Sequence, residues 1–164
     1  MNIEELNVIY FSPTGTSRKI VKTIGHEIGI SLSNEWDITR LNSDWRKYNG
    51  HENSLTIIGV PVYYGRLPID AVMRLQNIRI TKSLAVIVVV YGNRAYDDSL
   101  LELRDIAREC GFKVIAAAAF IGEHAFSSPA KPIAKERPDK EDIIKAKEFG
   151  RMIQVKLSNL TNNI

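Results

Sequence analysis

Short apolar runs and helically spaced apolar positions alternate along most of the chain. Continuous or alternating apolar runs predict five strands, at residues 6–11, 35–41, 55–60, 84–91 and 112–121. Apolar residues at helical spacing predict helices at residues 16–32, after Pro68, and at residues 97–110 and 139–157. Residues 42–53 and 122–138 show neither pattern, so we expect loops there, the first with a short helix.

The fivefold alternation of strand and helix predicts an α/β fold with a doubly wound parallel sheet. The apolar run at residues 84–91 is typical of a central strand that is covered on both faces. For five strands we take as the template the common doubly wound order 2-1-3-4-5, which gives a three-layer sandwich. No internal repeat or interdomain linker interrupts the chain, so we predict one domain, 1–164.

Composition narrows the classes of function. The 164 residues include a single cysteine, Cys110, which excludes an internal disulfide and a cysteine-rich metal site. The net charge of +3 is small and the basic residues are scattered, which argues against a nucleic-acid partner. The amino terminus lacks a secretory pattern, and no apolar run reaches the roughly 20 residues of a membrane span. We therefore expect a cytoplasmic protein.

The loop after the first predicted strand is small and mostly hydroxylated, and it consists of Ser12, Pro13, Thr14, Gly15, Thr16 and Ser17. The first predicted helix starts here, so free backbone N–H groups and the positive end of the helix dipole face the loop. A plain helix cap needs only one or two hydroxyl residues, whereas five of these six positions are small or polar. Since phosphate oxygens only accept hydrogen bonds, we predict phosphate binding at this loop.

Other phosphate loops do not fit this sequence. The Gly-x-x-x-x-Gly-Lys motif of triphosphate-binding loops is absent, and so are the three spaced glycines of dinucleotide-binding loops. Ser12 and Arg18 have the spacing of a tyrosine-phosphatase loop, but a serine cannot replace its nucleophilic thiolate. The third predicted strand ends in Val60-Pro61 rather than in an aspartate, which argues against response-regulator chemistry. Arg18 could brace the phosphate or point into solvent.

Two further loops, after the third and fourth predicted strands, carry tyrosines beside glycines. Ligands in this architecture bind beyond the carboxyl ends of the strands, where these loops meet the first. A planar aromatic ligand with polar edges would use their rings and backbone amides. The candidate residues are Pro61, Val62, Tyr63, Tyr64, Gly65 and Arg66 in one loop and Tyr91, Gly92, Asn93, Arg94 and Tyr96 in the other.

The chain resembles flavodoxin-family FMN-binding domains over nearly its whole length. Residues 12–17 are similar to the Thr/Ser-x-Thr-Gly-x-Thr phosphate loop of that family, with Ser17 at the last position. The resemblance implies that FMN is the cofactor, that Tyr64-Gly65 lies in the loop whose peptide can bond the reduced flavin, and that Tyr96 stacks on the ring. It implies neither a metal nor a protein nucleophile, because the flavin supplies the redox chemistry.

A narrower resemblance covers residues 120–139, which are similar to the flavodoxin half of proteins that carry a ferredoxin-like iron–sulfur module. A single cysteine cannot ligate such a cluster, so the module would have to lie on another chain or be absent. This favours a redox protein partner, with a ferredoxin or iron–sulfur protein among the candidates. His124 and Phe126 in this loop could pack within it or contact flavin or substrate.

Three functions stay open at this point. The first is an FMN-dependent redox protein that passes electrons to a protein partner. The second is an NAD(P)H:quinone-type oxidoreductase acting on a small molecule, and the third is a non-redox module with a degenerate flavin site. If flavin binds, we expect the positive charges of Arg66 and Arg94 to favour an anionic reduced flavin and to raise its potential.

Overall fold

The computed structural model describes residues 3–41 and 44–162, so Met1, Asn2, Asn42, Ser43, Asn163 and Ile164 of the predicted domain lie outside the described residues. The strands are β1 (Glu5–Tyr10), β2 (Leu32–Asp37), β3 (Ser54–Pro61), β4 (Ser83–Tyr91) and β5 (Phe112–Ile121). The helices are α1 (Thr16–His26), α2 (Ile69–Leu75), α3 (Ser99–Glu109) and α4 (Lys140–Asn162). A short 3₁₀ helix at Asp44–Lys47 follows β2.

All five strands are parallel and form one sheet in the order β2-β1-β3-β4-β5. This confirms the predicted fold class and strand order. The first eight residues of β4 are buried, as its continuous apolar pattern predicts for a strand covered on both faces. Two hydrophobic cores flank the sheet: α1 and α4 pack on one face, and α2 and α3 pack on the other.

The boundary between the first helix and the second strand differs from the prediction. Helix α1 ends at His26 rather than at residue 32, and β2 begins at Leu32 rather than at residue 35. Gly29 adopts a left-handed conformation (φ +81°), which an α-helix of L-residues does not continue through. Leu32, which extends the apolar spacing of α1, instead pairs with Leu6 of β1.

The remaining boundaries shift less. Helix α4 continues to Asn162, beyond the predicted end at residue 157, and α3 begins at Ser99 rather than at residue 97. Cys110 directly follows α3 and is buried, where its thiol contacts the carbonyl oxygen of Leu75. Burial raises the pKa of this thiol, as expected for a cysteine that packs in a core rather than one that reacts.

No helix within residues 3–41 and 44–162 is long and apolar enough to cross a membrane. The same described residues contain no group of three or more histidine, cysteine or carboxylate side chains placed to hold a metal ion.

Candidate functional site

A cavity of about 730 Å³ lies at the carboxyl end of the sheet, beyond β1, β3, β4 and β5. Four loops form its walls, and three of them are the loops that the sequence predicts as a binding site. The predicted residues that line the cavity are Ser12, Pro13, Thr14, Thr16, Ser17, Pro61, Val62, Tyr63, Tyr64, Gly65, Tyr91, Gly92 and Arg94. The structure thus brings together thirteen predicted positions from three separate parts of the chain.

Backbone N–H groups of the first loop are available for an anion. Within the described residues, no protein acceptor bonds the N–H groups of Thr14, Thr16 or Ser17. Gly15 precedes α1 with φ +83°, and no side chain caps the helix from this position. The start of α1 therefore presents several hydrogen-bond donors and the positive end of the helix dipole to the cavity.

Ser12 is a predicted site residue, and it contacts Arg18, whose role the sequence leaves open. The Ser12 hydroxyl accepts a hydrogen bond from the Arg18 N–H at 3.1 Å, so it satisfies one donor of the first helical turn. The Arg18 guanidinium donates to Glu35 of β2 at 3.0 and 3.2 Å and lies over the ring of Tyr10. Arg18 is thus held by Glu35, outside the cavity wall.

A buried arginine supports the first loop from the opposite face of the sheet. Arg74 of α2 donates hydrogen bonds to the carbonyl oxygens of Ile38 and Thr39, just beyond the end of β2. The Thr39 hydroxyl in turn accepts the Ser12 N–H at 2.8 Å. Two hydrogen-bonded steps therefore connect Arg74 to the loop that carries the free N–H groups.

The second loop turns back on itself at Tyr64 and Gly65. Tyr63 and Arg66 exchange backbone hydrogen bonds of 2.8 and 3.0 Å, which closes the turn. Both central residues have positive φ, 52° at Tyr64 and 75° at Gly65. A Cβ at Gly65 would lie 2.1 Å from a carboxylate oxygen of Asp97, so only glycine permits this approach.

The aromatic side chains of this turn differ in exposure. Tyr64 is 88% exposed, which is unusual for a tyrosine and places its ring at the mouth of the cavity. Tyr63 is less exposed, and partial burial raises the pKa of its hydroxyl.

Arg66 is directed away from the cavity. Its guanidinium forms a two-pronged ion pair with Glu102 of α3, with N–O distances of 2.8 and 3.0 Å. The hydrogen bond from Arg66 lowers the pKa of Glu102, which also accepts the Leu67 N–H. Arg66 lines a separate shallow depression between α2 and α3 rather than the candidate site.

The third loop divides its predicted residues between the cavity and its support. Tyr91 lines the cavity, and Tyr96 packs against it edge to face at a centroid distance of 5.1 Å. The cavity wall does not include Tyr96 or Asn93 of this loop. It also leaves out two predicted positions in the other loops, Gly15 and Arg66. Arg94 is the one arginine or lysine among the described lining residues, and no carboxylate within the described chain pairs with it.

The loop after β5 completes the cavity. His124 and Phe126 both line it, with ring centroids 5.4 Å apart, and the Phe126 ring lies 6.3 Å from that of Tyr64. Phe126 is 65% exposed, so two aromatic rings from different loops meet at the mouth. The candidate residues predicted from the sequence do not include this loop, although a contact of His124 and Phe126 with the ligand is left open there. The lining residues that it omits are Val90, Ala95, Asp97, Gly122, Glu123, His124, Ala125 and Phe126.

A sequence signal for the omitted loop exists. Residues 122–126 directly follow the carboxyl end of the fifth predicted strand, at the edge of the sheet where the other three loops lie. The same topological rule that selects the first three loops therefore selects this one.

The two ends of the cavity suit different parts of one ligand. The end formed by the first loop offers neutral hydrogen-bond donors and a helix dipole, which fit the acceptor oxygens of a phosphate. The other end offers Tyr91, Phe126, Tyr64 and backbone turns, which fit a planar aromatic group with polar edges. The volume lies within the range of small-molecule and cofactor sites. The residues present therefore fit a phosphorylated planar cofactor.

No protein-family model matches this chain, and no curated protein matches it. Solved structures do. The chain is similar to an archaeal flavodoxin with a TM-score of 0.57 and 14% identity, over 94% of this chain and 99% of that one. It is also similar to an NADH:FMN oxidoreductase, EmoB, in its apo form, with a TM-score of 0.61 and 10% identity, over 93% of this chain and 89% of that one.

A third similar structure is a larger protein, the rubredoxin:oxygen oxidoreductase of Desulfovibrio gigas. The TM-score is 0.62 at 14% identity, and the match covers 94% of this chain and 36% of that one. Together these likenesses show that the chain has a flavodoxin-like fold, which the resemblance in the sequence implies.

Proposed function

We propose that this chain binds FMN in the cavity and acts as a flavodoxin-like redox protein that passes electrons to a protein partner. One observation carries the proposal: the free N–H groups of Thr14, Thr16 and Ser17 lie in the same cavity as the aromatic side chains of three other loops. A phosphate at one end and a tricyclic ring at the other would use both sets of groups.

At the phosphate end, binding relies on backbone donors rather than on a cation. Arg18 is held by Glu35, and no lysine lines the described cavity wall. The hydroxyls of Thr14 and Thr16 lie 3.2 Å apart and add donors that can reorient towards phosphate oxygens. This end therefore recognises the phosphate through hydrogen bonds and the dipole of α1.

At the ring end, the loops supply shape and backbone polarity. The left-handed turn at Tyr64 and Gly65 exposes peptide groups, and the rings of Tyr91, Tyr64 and Phe126 offer apolar contact. Exposed aromatic residues at the mouth also give a protein partner an apolar surface next to the cofactor. An iron–sulfur protein is the partner that the narrower sequence resemblance favours.

When bound, FMN would supply the electron-transfer chemistry, and the chain would bind it, orient it and tune it. Nothing in this function requires a nucleophile or a metal from the chain, and a cytoplasmic setting would suit it.

The direct test is titration of the purified chain with FMN, in which binding is measured as quenching of flavin fluorescence. Riboflavin is the comparison ligand. We expect one FMN per chain and markedly weaker binding of riboflavin, which lacks the phosphate. Equal affinity for FMN and riboflavin would mean that the first loop does not bind the phosphate. A colourless protein that ignores added FMN would favour the non-redox module instead.

A second candidate is an FMN-dependent NAD(P)H:quinone-type oxidoreductase. The exposed rings of Tyr64 and Phe126, 6.3 Å apart at the mouth, favour it because a second planar molecule could stack there. Steady-state oxidation of NADH or NADPH by a quinone in the FMN-loaded chain would support this function. Rapid electron exchange with a reduced ferredoxin, without NAD(P)H turnover, would support the electron carrier.

A further inference from the structure

His124 occupies a fixed position in the cavity wall. Its ring lies so close to Gly92 that a Cβ there would be 2.3 Å from His124 Cδ2. Its backbone N–H donates to the carbonyl oxygen of Ile133, and its carbonyl oxygen accepts the Ser127 N–H at 2.8 Å. The backbone hydrogen bonds of His124 and the packing of its ring against Gly92 therefore fix the position of the imidazole.

The hydrogen bonds of the imidazole determine where its proton lies. His124 Nδ1 is within 3.0 Å of the Phe126 N–H, and a backbone N–H can only donate. Nδ1 is thus the acceptor, and in the neutral ring the proton lies on Nε2. No acceptor for Nε2 exists within residues 3–41 and 44–162, although the side chain is half-buried and lines the cavity.

A half-buried donor without a protein partner, on the wall of a binding cavity, is suited to an acceptor on the ligand. A flavin ring presents carbonyl oxygens and ring nitrogens along its polar edge, and these accept hydrogen bonds. On the premise of the FMN site proposed above, we infer that His124 donates a hydrogen bond from Nε2 to the polar edge of the bound ring. His124 then selects for a ring with an acceptor at that position, while the first loop selects for the phosphate.

Gly92 and Phe126 belong to the same arrangement. Gly92 leaves space for the imidazole, and the Phe126 N–H fixes its tautomer. The Phe126 ring also packs against the imidazole, at a centroid distance of 5.4 Å, and so helps to fix its orientation.

The first measurement is ¹⁵N NMR of the histidine rings, before and after addition of FMN. The chain has only three histidines, His26, His51 and His124, so assignment by single substitution is simple. We expect His124 to be the Nε2–H tautomer in the free chain and its Nε2 signal to shift on FMN binding. His51, which pairs with Glu5 at the opposite end of β1, serves as the internal control and is expected not to shift.

Two variants separate the donor from the scaffold. In His124→Asn the amide oxygen can replace Nδ1 as the acceptor of the Phe126 N–H, but the Nε2 donor is lost. In His124→Gln the longer side chain places an amide donor near the Nε2 position. We expect roughly three- to tenfold weaker FMN binding in His124→Asn and substantial recovery in His124→Gln, the range of one hydrogen bond. His51→Asn is the matched control and is expected to bind FMN normally.

The outcomes distinguish this inference from the FMN site itself. Three results, each obtained with normal FMN binding, would overturn the role of His124 alone. They are an Nδ1–H tautomer, an unshifted His124 signal, and equal FMN affinities in the Asn and Gln variants. Failure of the unmodified chain to bind FMN would overturn the proposed function and this role with it. Binding of FMN with a shifted His124 signal and recovery in His124→Gln would support both.

Discussion

The two ends of the cavity are built in different ways. The phosphate end comes from six consecutive residues, 12–17, at the start of one helix, and its donors are backbone N–H groups together with the hydroxyls of Thr14 and Thr16. The ring end comes from three loops that are separated in sequence, and it depends on side chains such as Tyr64, Tyr91 and Phe126. The phosphate end therefore depends on the backbone of one segment and its support from Thr39 and Arg74, whereas the ring end depends on how the loops pack against each other.

The largest expected effect comes from a negative charge at the phosphate end. In Thr14→Glu a carboxylate would lie beside the bound phosphate, and we expect FMN affinity to fall about 100-fold, close to 2.7 kcal/mol. Affinity for riboflavin should change little. Thr23→Glu on the same helix, where the hydroxyl only bonds the Lys19 carbonyl, is the control for charge alone. Equal losses for FMN and riboflavin would mean that the first loop does not hold the phosphate.

The next effect concerns the anchor of the loop after β5. Asp142 of α4 is 3% exposed and pairs with Arg137 at the end of this loop. An asparagine keeps only part of the charged, two-pronged contact with Arg137, which then relies on its ion pair with Asp139, so we expect Asp142→Asn to cost about 2 kcal/mol in free energy of unfolding. Glu141→Gln, an exposed change in the same helical turn, is the control in urea denaturation.

The pH dependence of this pair follows from the direction of its pKa shift. The hydrogen bond from Arg137 lowers the pKa of Asp142 below its ordinary value of 3.8. The stabilisation is therefore complete above about pH 5 and is lost as the pH falls through 3.8 towards the lower folded pKa. The stability difference between the unmodified chain and Asp142→Asn should be constant from pH 7 to 5 and shrink below that. A difference that grows on acidification would contradict the assignment.

A smaller effect contrasts one glycine from each end of the cavity. Gly92→Ala would place a Cβ 2.3 Å from His124, and we expect a stability loss of about 1–3 kcal/mol together with weaker FMN binding. Gly15→Ala meets no atom within 4 Å but must keep φ near +83°, so we expect a loss of only about 1 kcal/mol. Thermal unfolding and FMN titration measure both variants. A larger stability loss in Gly15→Ala than in Gly92→Ala would contradict this expectation.

The smallest effect concerns the redox potential. Arg94 lines the cavity and Arg66 is held by Glu102, so only Arg94 is placed to affect the charge on a reduced flavin. For Arg94→Gln we expect the potential to fall by roughly 10 mV, about 0.5 kcal/mol for a two-electron couple. Arg66→Gln serves as the control and should leave it unchanged. A larger shift in Arg66→Gln would mean that its ion pair with Glu102 opens in the flavin-bound protein.

The phosphate end and the central strands could be predicted from the sequence because their signals are contiguous. Buried strands such as β4 read as unbroken apolar runs, and the first loop lies within six residues. The alternation of the elements predicts the parallel sheet, and the strand order comes from the common template for five such strands. The edge strand β2 was predicted three residues late because three of its six residues are exposed and Leu32 continues the apolar spacing of α1.

The ring end was only partly predictable, for a physical reason. The carboxylate that holds Arg66 lies 36 residues further along the chain, so nothing near Arg66 shows that it leaves the cavity. The positions of His124 and Asp97 likewise depend on glycines in other loops, Gly92 and Gly65. Such pairings arise from packing between loops and leave no periodic pattern in the sequence.

The buried guanidinium of Arg74 has a consequence for natural variation. It connects α2, through Thr39, to the Ser12 N–H and so to the orientation of the phosphate loop. Arg74 serves both carbonyl oxygens from Nη1 while its guanidinium lies over the ring of Phe11, and a lysine lacks the planar group that makes this second contact. Because each link ends on a backbone group, related sequences are expected to keep an arginine at position 74 and a hydroxyl residue at position 39 whatever side chain stands at position 12.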